Sequence, residues 1–157
     1  MGVKPLSELE PAEKGIIVRV GGKGEIRHRL LDMGVVTGAV VEVERVAPLG
    51  DPVQIKVKGY DLALRKEEAE NIQVELTETL LARVASGDRV IVLALRAGWG
   101  LQRRLVDLGL TPGVEVKVIS RGRPGQVVLD VRGSRLALGH GVASKIIVRP
   151  AGVGAGE

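Results

Sequence analysis

The sequence contains no cysteine and no phenylalanine, and its 157 residues include one tryptophan, one tyrosine and two histidines. Without cysteine there can be no disulfide framework, no thiolate metal site and no cysteine nucleophile. With so few aromatic residues, any core has to be built from Val, Leu and Ile. The shortage of rings also argues against binding of single-stranded nucleic acid, which normally stacks its bases on aromatic side chains.

Long apolar segments are also missing. The longest strongly apolar run, Val90-Ile-Val-Leu-Ala-Leu95, is far shorter than the roughly 20 residues of a membrane-spanning helix. The first residues, Met1 to Leu6, contain no apolar signal core. Together with the absence of cysteine, these features predict a cytoplasmic protein. Residues 151–157 are small and glycine-rich, and we expect a flexible tail there.

Patterns typical of enzymes are absent from the sequence. It has no Ser/His/Asp arrangement, no nucleophile elbow and no P-loop. Gly21-Gly-Lys-Gly24 precedes a predicted helix, but its spacing fits neither a P-loop nor a dinucleotide fingerprint, so a plain turn is favoured. We therefore predict that the protein is not an enzyme and has no small-molecule substrate.

What the chain does contain is an internal repeat. Arg29-Leu-Leu-Asp-Met-Gly-Val-Val-Thr-Gly38 returns 75 residues later as Arg104-Leu-Val-Asp-Leu-Gly-Leu-Thr-Pro-Gly113. The match extends without a gap from residues 6–43 onto 81–118 and, after a one-residue deletion, from 53–74 onto 127–148. The unit is too long for a solenoid turn and fits a domain of roughly 70 residues. We predict domains at 1–76 and 77–150, followed by the tail at 151–157.

Each copy is predicted to be a small antiparallel barrel with one short helix. In the first copy Ile26, Leu30 and Met33 recur at helical spacing, and the strands are predicted at 15–20, 41–46, 53–57, 62–64 and 72–74, with one helical turn at 66–69. In the second copy the strands are predicted at 90–95, 114–119, 127–132, 135–138 and 146–148, with a helix at 100–108 and a turn near 140–144. Residues 77–79 are the predicted link.

The charge differs between the two halves. Residues 1–76 carry 11 Lys/Arg and 13 Asp/Glu, a net charge of −2, whereas residues 77–157 carry 12 and 6, a net charge of +6. This asymmetry indicates either that the halves dock on each other or that a basic second half meets an acidic partner. Divergence of solvated surfaces after duplication is a third explanation.

The motifs resemble those of the FeoA family, small cytosolic accessory proteins of the bacterial ferrous-iron transporter FeoB. The resemblance is carried by Leu6-Ser-Glu-Leu9, Arg29-Leu-Leu-Asp-Met-Gly34, Gly38, Ala47-Pro-Leu-Gly-Asp-Pro52 and Leu62-Ala-Leu-Arg65. It covers about residues 1–75 strongly and 78–149 more weakly, because the second copy has Arg121-Gly-Arg-Pro-Gly125 in place of the proline-rich turn. It implies an all-β fold with short helices: two tandem SH3-like small β-barrels, each with one short helix after the first strand.

The resemblance also implies a function. A member of this family would be a non-enzymatic adaptor of ferrous-iron uptake that binds the cytosolic part of the FeoB transporter and modulates its nucleotide cycle or assembly. It would reach the membrane only through that partner. The same module forms the C-terminal domain of metalloregulators of the diphtheria-toxin-repressor type. The alternative is therefore a metal-dependent regulatory or scaffold module that binds protein, a metal ion or, as a minor possibility, nucleic acid.

The sequence offers few side chains that could bind a metal ion. Only His28 and His140 could supply imidazole, and they occupy unrelated positions in the two copies, without a second ligand at an obvious spacing. The carboxylates of Glu67, Glu68 and Glu70 are predicted to form a solvated face. We predict no resident cofactor and at most weak binding of transition metals.

The remaining candidates are surface residues that could contact a protein partner. Trp99 lies between two glycines on a predicted loop, and tryptophan is enriched at interface hot spots. The partner-binding candidates are Arg29, Arg103, Arg104, Trp99, Arg121 and Arg123. The residues predicted to be structural are Leu30, Asp32, Gly34, Gly38, Leu105, Asp107, Gly109 and Gly113. A plainer role for Arg29 and Arg104 is an ion pair with the aspartate three residues later.

Overall fold

The computed structural model describes residues 1–121 and 125–152. The chain separates into two compact units, Met1–Thr77 and Glu78–Glu157. Among the described residues no helix is both long enough and apolar enough to cross a membrane. The predicted tail at 151–157 lies mostly outside the described residues.

The first unit is an antiparallel sheet with one nine-residue helix. Its strands are β1 (Val3–Pro5), β2 (Lys14–Val20), β3 (Val40–Val46), β4 (Val53–Val57), β5 (Tyr60–Leu64) and β6 (Ile72–Leu80). Its helices are α1 (Gly24–Asp32) and α2 (Lys66–Ala69), with 3₁₀ turns at Leu6–Glu8 and Pro48–Gly50. Strands β2 to β5 pair in sequence order, β6 pairs with β2, and β1 pairs with β6.

The second unit follows the same plan. Its elements are a 3₁₀ turn at Leu81–Arg83, β7 (Arg89–Leu95), α3 (Trp99–Asp107), β8 (Glu115–Ser120), β9 (Gln126–Val131), β10 (Ser134–Gly139), α4 (His140–Ala143) and β11 (Ile146–Pro150). Strands β7 to β10 pair in order, and β11 pairs with β7. The end of β6 takes the place of β1: Thr79 pairs with Val148, as Lys4 pairs with Val74 in the first unit.

Each unit has its own apolar core, and the two cores are built at aligned positions. The first core takes one or more side chains from each of β2 to β6 and from α1, among them Ile17, Val43, Ile55, Leu64, Val74 and Leu30. The second core has, in the same order, Val92, Val118, Leu129, Leu138, Val148 and Leu105. Since a single cluster is lined by all five strands, each sheet curls around its core as a small barrel. This confirms the predicted fold class.

Both sheets bend at the same place. The pairing of β3 with β4 shifts register between Val43 and Arg45, and the pairing of β8 with β9 shifts between Val118 and Ser120. An extra residue in one strand of an antiparallel pair increases the local twist and bends the sheet. The two shifts coincide in the 75-residue alignment, so the repeat preserves the curvature of the barrel as well as its core.

Strands β2 and β6 approach each other very closely at Gly15. A Cβ added there would lie 2.3 Å from the backbone oxygen of Glu75 and 2.5 Å from Cγ1 of Val74. Both distances are well below van der Waals contact, so this approach requires a glycine. The aligned position in the second unit is the buried Val90. The two barrels therefore differ in how closely these strands pack.

The structure differs from the sequence prediction around the link. Residues 77–79 were expected to connect the domains, but they continue strand β6. The reason is local: Thr77 and Thr79 are β-branched and favour extended backbone, and Thr79 is 2% exposed. Strand β1 was not predicted at all, because three residues ending in proline are too short to show a period of two.

Candidate partner-binding surface

The long helix of each unit ends in the same way, with residues at aligned positions. Gly34 after α1 has φ +91°, and Gly109 after α3 has φ +94°, a left-handed conformation that glycine adopts without steric cost. The amide of the next residue donates to the carbonyl of Leu30 in one unit and of Leu105 in the other, at 3.0 and 2.9 Å. Leu30 and Leu105 are buried, so the outward-facing side of each helix is well defined.

The other residues predicted to be structural lie close to these helix ends. Gly38 and Gly113 occupy the turn into the next strand, where their amides donate at 2.7 Å to carbonyls of β2 and β7. Asp32 and Asp107 are exposed in the last turn of α1 and α3. Neither aspartate forms an ion pair within residues 1–121 and 125–152, so the predicted pairing with Arg29 and Arg104 is wrong.

Arg29 is paired instead with a buried carboxylate on α2. Its guanidinium contacts Oε2 of Glu68, whose side chain is 4% exposed. The other oxygen, Oε1, accepts a hydrogen bond from the backbone N–H of Arg65 at 2.8 Å. Glu68 thus stabilises the first turn of α2 and ties α1 to it. The prediction that Glu68 belongs to a solvated face is wrong, because this position faces the helix α1.

The second unit lacks this ion pair. Val142 stands at the position aligned with Glu68 and packs against the second core. Arg104, aligned with Arg29, is exposed and forms no ion pair with any carboxylate in the described part of the chain. A guanidinium that is committed to the fold in one unit is therefore available to a partner in the other.

Trp99 and Arg103 form a contact of their own on α3. The guanidinium carbon of Arg103 lies 5.2 Å from the centroid of the Trp99 ring, within the range of a cation–π interaction. Trp99 is 74% exposed. It is the first residue of α3 rather than part of a loop, which corrects the prediction. The helix starts one residue earlier than expected because Gly98 adopts the extended backbone of an N-cap.

Arg121 has a partner inside its own unit. Its Nε and Nη2 donate to the carbonyl of Val84 at 3.3 and 3.0 Å, and Nη2 also contacts the carbonyl of Ala82. These bonds tie the end of β8 to the 3₁₀ turn at the start of the unit. Arg123, the other candidate in this turn, lies outside the described residues.

The placement of the two histidines and of one charged groove bears on metal binding. His28 is exposed on α1, and His140 is exposed at the start of α4. The described residues contain no group of three or more His, Cys, Asp or Glu side chains that could hold a metal ion. An open groove of about 300 Å³ beside α1 is lined by both signs of charge, including Glu25, Arg29 and Arg65.

One apolar side chain in the first unit is held away from the core. Leu49, in the Pro48–Gly50 turn, is 98% exposed and has φ +69°. Left-handed backbone is uncommon for a residue with a branched side chain, so the turn holds Leu49 outward at a conformational cost. The exposure of Leu49 could not be predicted from the sequence of this turn, Pro48-Leu-Gly-Asp-Pro52.

A model of the FeoA domain matches residues 4–76 of this chain and, a second time, residues 79–150. The chain belongs to the FeoA family. A Porphyromonas gingivalis protein, a fusion of Fe(2+) transport protein A with the Fe(2+) transporter FeoB, is 46% identical over 71 residues, covering 45% of this chain. The match spans 8% of the length of that fusion protein.

A solved FeoA structure that covers nearly the whole chain agrees with this assignment. The solution structure of iron(II) transport protein A from Clostridium thermocellum is 34% identical, covers 98% of this chain and 91% of its own, and has a TM-score of 0.58. FeoA from Stenotrophomonas maltophilia, described as a procaryotic SH3 domain protein and solved with zinc, is 30% identical over 44% of this chain and 86% of its own, with a TM-score of 0.40. The two matches to the family model make the chain a tandem FeoA protein.

Sequence reasoning missed Glu68, although the repeat contained a signal for it. The aligned residue in the second copy is Val142, and an apolar residue at the matching position indicates that the site faces inward. Within the first copy alone, Lys66-Glu-Glu-Ala-Glu70 has the composition of a solvated helix turn, and only the aligned valine reveals the inward position. The cation–π contact of Arg103 with Trp99 could have been found from their i, i+4 spacing once the helix was extended by one residue.

Proposed function

We propose that this FeoA protein is a non-enzymatic accessory component of ferrous-iron uptake that binds the cytosolic part of a FeoB-type transporter. The observation that carries the proposal is the Porphyromonas gingivalis fusion, in which a domain 46% identical to part of this chain is covalently joined to the transporter. A covalent link raises the effective concentration of two domains to the millimolar range for short flexible linkers. Fusion is therefore most useful where the two parts act together.

The surface of the second unit supports a role in protein binding. Trp99, Arg103 and Arg104 are exposed on one helix whose position is fixed by the buried Leu105. Tryptophan and arginine are the residue types most enriched at interface hot spots. The net charge of +6 on residues 77–157 favours an acidic partner surface.

Calorimetric titration of the full chain into the purified cytosolic domain of the FeoB-type transporter from the same organism tests the proposal. We expect saturable binding that weakens as salt rises, because surface charges are screened beyond about 8 Å at physiological ionic strength. The proposal would be contradicted if the two proteins, each at about 100 μM, gave no binding heat and did not co-elute from a size-exclusion column. At that concentration a complex with micromolar affinity is nearly saturated. Binding to duplex DNA instead of the transporter domain would favour the regulatory alternative.

A further inference from the structure

One face of α3 carries two exposed apolar side chains on either side of an arginine. Trp99, Arg103 and Val106 are spaced i, i+4 and i+7, so they lie on the same side of the helix. Trp99 is 74% exposed and Val106 is 44% exposed. We call these three residues the α3 face.

The first unit has no such face on its equivalent helix. The positions aligned with Trp99, Arg103 and Val106 are Gly24, His28 and Leu31. Leu31 packs against the first core, whereas Val106 is not among the side chains that pack against the second. Likewise, Met33 packs against the first core, whereas its aligned residue Leu108 is 49% exposed. A solvated helix surface normally carries polar residues at such positions, so the α3 face is not explained by folding.

The position of α3 does not depend on the α3 face. Gln102 anchors the helix, because its Nε2 donates to the carbonyls of Leu95 and Ala97 at 3.3 and 2.9 Å. In the first unit Arg27, the aligned residue, donates to the carbonyl of Val20 at 3.2 Å. With Leu105 buried beneath it, α3 is held from two sides and presents Trp99 outward. Contact with Arg103 restricts the ring further, which lowers the entropy cost of binding.

The charge around the α3 face is positive and unpaired. Neither Arg103 nor Arg104 forms an ion pair with a carboxylate of residues 1–121 or 125–152. Asp107 is the single carboxylate in α3. Guanidinium groups bind carboxylates through two parallel hydrogen bonds, which a lysine cannot do. The occupant that complements this surface is therefore acidic as well as apolar.

We infer that the α3 face docks an acidic segment of a protein partner, which places an apolar side chain against Trp99 and carboxylates on Arg103 and Arg104. The inference rests on the proposed function, in which that partner is the cytosolic domain of the transporter. It assigns binding to the second unit and to a single helix surface, and it gives the first unit no part in the contact.

The single tryptophan makes this surface directly observable. The full chain is labelled with 5-fluorotryptophan and titrated with the unlabelled transporter domain while the ¹⁹F spectrum is recorded. We expect the one resonance to shift or broaden with the same midpoint as the calorimetric titration. Calorimetric binding with an unchanged resonance would overturn the inference and leave the proposed function standing. If neither calorimetry nor the ¹⁹F spectrum detects binding, both the inference and the proposed function are contradicted.

Variants of the full chain separate the α3 face from general charge attraction. Trp99→Ala is expected to weaken binding at least about fivefold, and Arg103→Glu at least about tenfold, with a smaller salt dependence. Arg45→Glu makes the same charge change at an exposed position of the first unit and is expected to change affinity less than about twofold. Equal losses from Arg45→Glu and Arg103→Glu would overturn the inference. So would displacement of the transporter domain by stoichiometric duplex DNA.

Discussion

Arg29 and Arg104 occupy the same place in the two copies but meet different surroundings. Arg29 contacts the carboxylate of Glu68, which is almost fully buried. In the second copy the residue aligned with Glu68 is Val142, and Arg104 forms no ion pair within the described residues. A buried acceptor that loses its partner is costly, and an exposed cation that is removed costs almost nothing. The same substitution should therefore have different effects at the two positions.

We predict that Arg29→Met lowers the free energy of unfolding by about 1–3 kcal/mol, the cost of leaving a buried acceptor without its partner. Arg104→Met is the matched control and should change stability by less than about 0.5 kcal/mol. Urea denaturation of the full chain followed by circular dichroism measures both. Equal effects at the two positions would show that the contact of Arg29 with Glu68 does not stabilise the first unit.

The close approach at Gly15 supports a second prediction. Gly15→Ala should destabilise the first unit by about 1–3 kcal/mol, as overpacking does, because the new methyl group meets the backbone oxygen of Glu75 and the buried side chain of Val74. Gly24→Ala is the control: no atom lies within 4 Å of its added Cβ, and the residue begins a helix. It should stabilise the protein by up to about 1 kcal/mol. Thermal denaturation of both variants measures the effect. If Gly15→Ala were as stable as the unmodified protein, β2 and β6 would not be as close at Gly15 as the structure shows.

At the scale of single elements, the end of each long helix depends on a left-handed glycine. Gly34→Ala and Gly109→Ala should each cost about 1–2 kcal/mol, because alanine is strained at these φ values. The asparagine variants should lose less, since asparagine tolerates this conformation better. Denaturation curves of the four variants provide the measurement. A neutral alanine variant in either unit would mean that its helix can end differently there.

The elements were predictable to the extent that each produces a periodic pattern. Helix α1 is set by Leu30 and its spaced neighbours, and the strands by alternation, because burial of one face imposes these periods. The strand at residues 77–79 could not be predicted, since Thr77 and Thr79 are polar and the burial of Thr79 arises only from tertiary pairing. The sequence predicts a loop at Trp99, because the glycines on both sides of it hide the start of a helix. The candidate site was thus predicted by residue type, but its contacts depend on packing that a single sequence does not display.

At the scale of the whole molecule, the distribution of potential ligands predicts weak metal binding. His28 and His140 lie in different elements, and the described residues hold no cluster of three ligating side chains. Tight sites for transition metals need several clustered ligands. Calorimetry with Fe²⁺ or Zn²⁺ should give affinities no tighter than the low micromolar range. Stoichiometric sub-micromolar binding would contradict this, and His28→Ala and His140→Ala would then locate the site.

Strand β6 has a consequence for how such a chain can grow. Its first part completes the first barrel at Val74, and its last residues, Thr79 and Leu80, begin the second by pairing with β11. The strand that closes the first module thus continues directly into the strand that opens the second, without a loop between the two. Duplication of this module needs only in-frame joining of two copies at a strand. By the same rule, a third copy would be joined by extending β11 beyond Pro150, as β6 extends beyond Leu76.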